Sequence, residues 1–462
     1  MESGARSRRP AASRPKFVTG SISRHILVMT GAGAVGLMAI FLGDLANILF
    51  LSWLKDEAIV AAIGYAGPIV FLTVSMGIGL AIAATSVVAP ALGAGRRMRA
   101  RRLSLNAHVL TFATACALSL LIWLAIPFLL TLLGASGRAR DLAADYLLIL
   151  VPAMPPLAVA MTSASVLRSV GDARRAMNVT LIGAVGNMLL DVILILWLGL
   201  GIHGAAIASA IARVIMMTVG LYGVIRVHDL WGRVRLPTVV ADAPALIAVA
   251  VPAILTNIAT PFANAYVTRS MAPFGDSAVA GWAILGRLTP VAFGAIFALS
   301  GTVGPIIGQN YGAGDFPRMR ATLTHSLLVT AAFTGVAWLA LAVLARPITA
   351  SFHAHGETAS LIVFFCRVLA PLFVFLGAMF VANACFNTLR RPHYSTALSW
   401  SRATLGTIPF VSVGAYLAGA PGVIAGSMLG NLVFGLLGVW LAYRWIDRLE
   451  ARSAHEAVAE QP

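Results

Sequence analysis

The chain has 462 residues, of which 59% are hydrophobic and 11% are charged, and its mean hydropathy is +0.88. A soluble protein of this length cannot bury so much apolar surface, so the composition excludes a soluble fold and indicates a polytopic membrane protein. The net charge of +16 would suit nucleic-acid binding, but the basic residues lie in loops between apolar segments, and we expect no nucleic-acid partner.

Twelve apolar segments follow one another along the chain, each long enough to cross a bilayer as a helix, which takes about 20 residues. Their predicted bounds are 26–54, 59–94, 104–134, 141–168, 176–198, 203–225, 243–272, 277–312, 321–351, 357–389, 393–417 and 421–443. Internal prolines predict kinks at Pro152, Pro155, Pro156, Pro261 and Pro371. The predicted fold class is an all-α polytopic membrane protein with twelve transmembrane helices.

Lysine and arginine are distributed unevenly between the connections. The N-terminal tail, the 95–102 loop and every second connection after it are basic, whereas the opposite connections hold only Lys55, Arg138, Arg140 and Arg346. Because positive charge marks the cytoplasmic side, we expect a multi-pass protein of the cytoplasmic (inner) membrane with both termini in the cytoplasm.

The second half of the chain repeats landmarks of the first. The sequence LGAG at 92–95 recurs as YGAG at 311–314, and the prolines 152 and 371 are also 219 residues apart. Two parallel repeats around a central cavity form a transporter architecture that permits alternating access. We therefore predict two six-helix repeats in five parts: a cytoplasmic basic tail at 1–23, an N-lobe at 24–226, a cytoplasmic linker at 227–242, a C-lobe at 243–448 and a cytoplasmic tail at 449–462.

Two carboxylates, Asp44 and Asp191, lie deep inside predicted spans, and both are in the first half of the chain. A charged carboxylate inside a bilayer costs several kcal/mol, so such groups are usually kept for handling protons or ions. Asn187 precedes Asp191 by four residues, and a helix therefore places both side chains on one face. The sequence predicts an ion-coupling site in the N-lobe.

Three motifs resemble those of the multidrug and toxic compound extrusion (MATE) transporters: GQNYGAG at 308–314, GDARRAMN at 171–178 and NMLLDVILILWLGLGIHGAAIAS at 187–209. Members of that family are antiporters that expel organic compounds against an inward flow of protons or sodium. The resemblance covers essentially the whole chain. It implies that Asn187 and Asp191 match the polar pair that binds the coupling cation, and that Ser209 matches a hydroxyl-bearing position on the sixth helix.

The chain departs from the family pattern on the first helix. The family aspartate aligns with Asn47, and Asp44 lies one turn of about 5.4 Å earlier. We expect Asp44 to have taken over the carboxylate role beside Asn47. The repeat places Asn264 opposite Asn47, and spans seven to twelve contain no deep acid. This pattern favours the branch that resembles the DNA-damage-inducible (DinF-like) efflux proteins, with coupling confined to the N-lobe.

Structural interpretations of the same residues stay open at this point. Asp191 would also serve as an ion-pair partner of Arg213 on the next helix, Asp44 as a hydrogen-bonding group, and the asparagines as bridges between helices. Arg287 and Arg367 lie about a dozen residues into spans without a deep acid. They either extend toward the membrane surface, pair with Asp44 or Asp191, or bind an anionic substrate group.

The expected function is proton-coupled export of small organic compounds, and the alternative is a flippase for lipid-linked saccharides or peptidoglycan precursors. No triad or metal constellation indicates an enzyme or a cofactor, although sodium is a possible coupling ion at Asp191 and Asn187. We expect a monomer whose partners are small organic substrates and membrane lipids. The predicted substrate cavity is lined by Asn264, Arg287, Arg367, Met161, Phe293, Phe375 and Met379.

Overall fold

The computed structural model describes residues 15–52 and 56–459, and these residues form helices without any β-strand among them. The first half holds six membrane helices: α1 Ile22–Ser52, α2 Glu57–Gly93, α3 Arg97–Leu132, α4 Gly137–Val170, α5 Ala173–Trp197 and α6 Gly201–Val227. The second half holds another six: α7 Leu236–Phe274, α8 Asp276–Ala292 with Gly294–Gly312, α9 Phe316–Ser351, α10 Gly356–Thr388, α11 392–417 and α12 420–459.

The last two helices meet at a kink in the backbone. Ala418 and Gly419 have non-helical backbone angles, so the long stretch after residue 392 divides there into α11 and α12. The prediction of twelve transmembrane helices in two six-helix repeats is thereby confirmed. The bounds of the lobes, the linker and the tails stay predictions, and residues 1–14 and 460–462 of the tails lie outside the described residues.

Several membrane helices contain breaks. Short 3-10 turns interrupt α4 at Val151–Ala153 and α10 at Ala370–Leu372, which confirms the kinks expected at Pro152 and Pro371. The helix α8 bends by 52° at Phe293, a break that the sequence prediction did not include. In α5 the regular helix ends at Asp191, and a π-helical segment follows over Val192–Trp197. Such segments are frequent at functional sites.

The two halves meet at the end of the bundle that carries the 95–102 loop, which we call the basic end. A Cβ atom added at Gly93 would fall on the carbonyl oxygen of Gln309, and one added at Gly312 would fall on that of Pro90. The two contacts are related by the repeat, because Gly312 and Gln309 follow Gly93 and Pro90 by 219 residues. The glycines therefore allow the backbones of α2 and α8 to touch.

A short N-terminal segment, Lys16–Gly20, lies across this contact. Phe17 is 1% exposed; its backbone N–H donates to Gln309 Oε1 at 2.8 Å, and its carbonyl accepts from Arg318 Nη2 at 2.9 Å. Lys16 Nζ donates to the carbonyl of Gly171, in the first half, at 2.7 Å. The segment thus binds both halves, and the basic end is closed.

The opposite end is more open. The first section of α4, Gly137–Leu150, and the first section of α10, Gly356–Phe364, contact mainly helices of their own half. The strong contacts between halves are instead made by α1 and α2 with α7 and the second section of α8. A cleft between the halves therefore opens away from the basic end.

Gly312→Ala should destabilise the protein, because the new methyl group has no room beside the Pro90 carbonyl. Overpacking of this kind typically lowers the free energy of unfolding by about 1–3 kcal/mol. We expect a lower melting temperature in detergent. The matched control is Gly335→Ala in α9, where nothing lies within 4 Å of the added Cβ. Equal melting temperatures for the two variants would contradict the close contact at the basic end.

Candidate cation-coupling site

A polar cluster forms around Asp191, which is 0% exposed. Its Oδ2 accepts a hydrogen bond from Asn47 Nδ2 at 3.0 Å and another from Asn187 Nδ2 at 3.3 Å. Asn47 comes from α1, whereas Asn187 lies one turn before Asp191 on α5. Asn47 thus occupies the position that the family alignment assigns to an acid on the first helix. Its amide donates a hydrogen bond to Asp191, the acid on the fifth helix.

Two oxygens of this cluster have no hydrogen-bond partner among the described residues. Asp191 Oδ1 and Asn187 Oδ1 are buried, and neither makes a hydrogen bond to the described residues. Buried polar atoms are normally hydrogen-bonded, so exceptions call for a physical reason. Here both amides turn their NH2 groups toward Oδ2, which leaves Asp191 Oδ1 available for a proton. The two free oxygens are also the kind of atom that a hard cation prefers.

Asp44 lies close to the cluster but makes no hydrogen bond among the described residues. Its side chain is exposed, and it is near enough to both Asp191 and Arg213 to interact with them electrostatically. Ser209 interacts with the hydroxyl of Tyr146 instead. The structure therefore places Asp44, Asn47, Asn187 and Asp191 together, whereas Ser209 is directed to a tyrosine at the edge of the group.

Arg213 is 9% exposed and binds neutral atoms. Its Nη1 donates to the carbonyl of Leu150 at 3.0 Å and contacts Met154 Sδ at 3.6 Å, on either side of the break in α4. Among the side chains that the structure describes, no salt bridge within 4.0 Å joins Arg213 to Asp191. The ion-pair interpretation of Asp191 is not supported in this conformation, because the break in α4 offers the guanidinium a carbonyl oxygen.

Two residues expected to line the substrate cavity lie in the protein core. Phe293 and Met379 are each 1% exposed in this conformation, and their role in substrate binding stays a prediction. Phe293 occupies the bend of α8 and stacks on Phe373 with ring centroids 4.0 Å apart. Met379 packs inside the second half with Leu299 and other core residues. The bend turns Phe293 inward, which a straight helix does not predict.

The remaining cavity candidates are not buried. Asn264, Arg287 and Arg367 are exposed, and neither arginine forms a salt bridge with a described side chain. Met161 and Phe375 are half-buried at helix contacts. The sulfur of Met161 faces Gly77 of α2, and the carbonyl of Phe375 lies against Gly435 of α12. Their role in substrate binding stays a prediction.

Sequence reasoning missed two arginines inside the bundle, Arg168, which is half-buried, and Arg402, which is buried. Arg168 makes no side-chain hydrogen bond or salt bridge with the described residues, and its Nε is buried 3.7 Å from where a Cβ at Gly301 of α8 would lie. Arg402, 6% exposed, donates to Asn431 Oδ1 at 3.1 Å and to Thr260 Oγ1 at 3.2 Å, with Nε unpaired. Arg402 also lies well inside a predicted span, so the reasoning that selected Arg287 would have found it. Arg168 lies near a basic loop, where arginines are expected to mark the cytoplasmic side.

Comparison with known proteins places this arrangement in a family. The MatE family model matches residues 33–193 and 252–412, two segments that are again 219 residues apart. The chain is 29% identical to the FAD transporter of Shewanella oneidensis, covering 96% of this chain and 99% of that protein. It is 24% identical to the multidrug export protein MepA of Staphylococcus haemolyticus, covering 95% and 97%.

A solved structure agrees with the fold. The crystal structure of the Vibrio cholerae MATE transporter VcmN in the bent form superposes with a TM-score of 0.86 at 25% sequence identity, covering 93% of this chain and 98% of that chain. The MatE family and the named relatives are transporters, not enzymes. They confirm the resemblance to MATE transporters that the three motifs indicated. The chain is a multi-pass membrane transporter of small compounds and belongs to the MATE family.

Proposed function

We propose that this transporter exports small organic compounds across the cytoplasmic membrane in exchange for protons, by alternating access between its two halves. The observation that supports this most is the buried Asp191 carboxylate, which accepts from two amides at Oδ2 and from no described residue at Oδ1. An acid in such a site can bind and release one proton during each cycle. The basic end is assigned to the cytoplasm because of its arginines.

Protonation changes the forces that hold α1 against α5. In the ionised state the amides of Asn47 and Asn187 donate to a charged oxygen, and such bonds are roughly twice as strong as neutral ones. A proton on Oδ1 removes the charge and weakens both. Because Asn47 belongs to α1, the proton changes the attachment of α1 to α5. The π-helical segment that starts at Val192 gives α5 an irregular section beside the site.

The first helix also connects the site to the closed basic end. It begins at Ile22, directly after the segment Lys16–Gly20 that binds both halves. Along its length it contacts α8, where Met38 Sδ lies 3.1 Å from a Cβ built at Gly294. A displacement of α1 at Asn47 therefore acts on the contacts that keep the basic end closed. This is the physical link proposed between the proton and the alternating access.

The choice of proton over sodium follows from the atoms available. Sodium prefers several oxygen ligands held together, whereas a proton requires one titratable group. The cluster offers two unpartnered oxygens, Asp191 Oδ1 and Asn187 Oδ1, with the positive charge of Arg213 near Asp44. That charge disfavours a metal cation in the same region. We therefore assign protons as the coupling ion and sodium as the alternative.

Asp191→Asn should abolish export driven by a pH gradient, because the amide retains the shape of the side chain but cannot exchange a proton. The measurement is uptake of ethidium by proteoliposomes with an imposed pH gradient and no sodium on either side. We expect transport by the parent and only leakage by the variant.

The matched control for this test is Asp145→Asn, which removes a half-exposed acid of α4 that faces His203. It should transport like the parent. Normal transport by Asp191→Asn would refute the coupling role. Failure of the parent under a pH gradient, with rescue by a sodium gradient, would reverse the ion assignment.

Asp44→Asn tests whether the neighbouring acid shares the proton. If Asp44 has taken over the role of the first-helix acid, the variant should lose most of its pH-driven transport, and adding Asn47→Asp should restore part of it. Rates are measured in the same proteoliposomes at matched protein content. Parent-like transport by Asp44→Asn would make Asp44 structural and leave Asp191 as the working carboxylate.

A second candidate substrate class, organic anions, is favoured by Arg168. Its guanidinium lies between the halves beside Gly301 and has no acidic partner among the described residues. Its Nε is buried without a partner among the described residues, and a bound anion would compensate the positive charge. The Shewanella relative is named an FAD transporter, and FAD carries negatively charged phosphates. The position of Arg168 therefore favours a phosphate-bearing aromatic compound as the second candidate substrate.

Arg168→Gln separates the two substrate classes. The variant should bind FAD about tenfold more weakly, since a hydrogen bond to a charged group contributes about 1.5–3 kcal/mol. Binding of ethidium should be unchanged. Both are measured by fluorescence titration of the purified protein, with Arg226→Gln at an exposed site as the control. Equal FAD affinity in parent and Arg168→Gln would exclude Arg168 from anion recognition.

A further inference from the structure

A small cavity lies at the basic end of the second half, away from the cleft and the Asp191 cluster. It measures about 50 Å³ and is bordered by the end of α10, the start of α11 and the last part of α12. Its lining residues are Phe386, Tyr394, Leu441, Arg444, Trp445 and Arg448. Nothing in the coupling mechanism uses these residues.

The wall of the cavity contains a buried donor without an acceptor. Trp445 is 6% exposed, and its indole Nε1–H is buried without a hydrogen-bond partner among the described residues. Buried tryptophan N–H groups usually find an acceptor, because leaving one unpaired costs about 1–3 kcal/mol. Tyr394 lies 6.1 Å from the Trp445 ring and 5.6 Å from that of Phe386, which completes an aromatic wall. The cavity therefore lacks one acceptor.

Arginines surround this wall. The guanidinium of Arg391 lies 4.8 Å from the centre of the Trp445 ring, and that of Arg452 lies 5.9 Å from it. Arg444, Arg448 and Arg452 are spaced four residues apart on α12, so they share one face of the helix. Arg444 and Arg448 line the cavity, whereas Arg391 and Arg452 lie over the Trp445 ring in its wall. The guanidinium of Arg444 also lies 5.0 Å from the centre of the Trp440 ring.

These arginines have no acidic partner in the part of the chain that the structure describes. The two acids on the same stretch of α12, Asp447 and Glu450, both form salt bridges with Arg320 of α9 instead. The described acidic residues therefore do not neutralise the positive charge beside the cavity. An anion that accepts hydrogen bonds would satisfy both the arginines and the Trp445 N–H.

The position of the cavity indicates the chemistry of that anion. The apolar part of α12 was predicted to end near residue 443, but the helix continues to residue 459, so Arg444 to Arg452 lie where the apolar span meets the polar end. Tryptophan and tyrosine gather at this depth, and basic pockets between helices on the cytoplasmic side bind anionic lipid headgroups. We propose that this cavity is a phosphate site, which binds the phosphate of an anionic phospholipid or a free phosphate group.

Binding is tested on the full-length protein in detergent. Native mass spectrometry measures the retention of phosphatidylglycerol against phosphatidylcholine, and a thermal-shift titration with sodium phosphate against sodium chloride measures the free anion. The double variant Arg444→Gln, Arg448→Gln should bind about tenfold more weakly, because two charged hydrogen-bond donors are lost. Arg174→Gln removes an exposed charge from the basic end of the first half and should bind like the parent.

A second variant tests the site even if the double arginine variant fails to fold. Trp445→Phe keeps an aromatic ring beside Arg391 but removes the N–H donor, and it should bind several-fold more weakly with little change in melting temperature. Retention of phosphatidylglycerol with this pattern identifies a lipid site, and the same pattern with phosphate alone identifies a site for the free anion. Binding of neither, or equal loss in Arg174→Gln, would overturn the proposal.

Discussion

The structure depends most on one carboxylate in an apolar environment. Asp191 is fully buried in the first half of a membrane protein, and the amides of Asn47 and Asn187 donate to one of its oxygens. Because these donors come from α1 and α5, the charge on Asp191 holds two helices together. The second oxygen has no hydrogen-bond partner in the described part of the chain, so a proton can bind there. The proposed coupling follows from this asymmetry.

In the proposed mechanism, the first helix transmits that interaction to the basic end. There, Gly93 and Gly312 allow backbone contact between α2 and α8, and Phe17 is held by side chains of the second half. The contact is symmetric about the repeat, whereas the acidic cluster exists in the first half alone among the described residues. The contact that closes the basic end is thus built equally by both halves, whereas the acidic cluster lies in one of them. This arrangement suits a transporter in which one half carries the coupling ion.

The sequence predicted what depends on local pattern. Hydropathy gave the twelve helices, the repeat gave the two halves, and Pro152 and Pro371 gave two of the breaks. The bend at Phe293 was not predicted, although Pro290 lies inside the helix about one turn before it. The sequence also could not predict which groups on other helices the buried arginines would bind. Arg213 binds the Leu150 carbonyl, and Arg402 binds amide and hydroxyl groups. Such choices depend on three-dimensional packing.

The central claim is that the protonation state of Asp191 sets the relative position of the two halves. Spin labels at Asp141→Cys in α4 and Ser360→Cys in α10, both exposed at the end opposite the basic end, report this position when Cys116 is replaced. Double electron–electron resonance should show that the distance between the labels changes from alkaline to acidic buffer in the parent and stays constant in Asp191→Asn. The same pH-dependent change in both proteins would contradict the account.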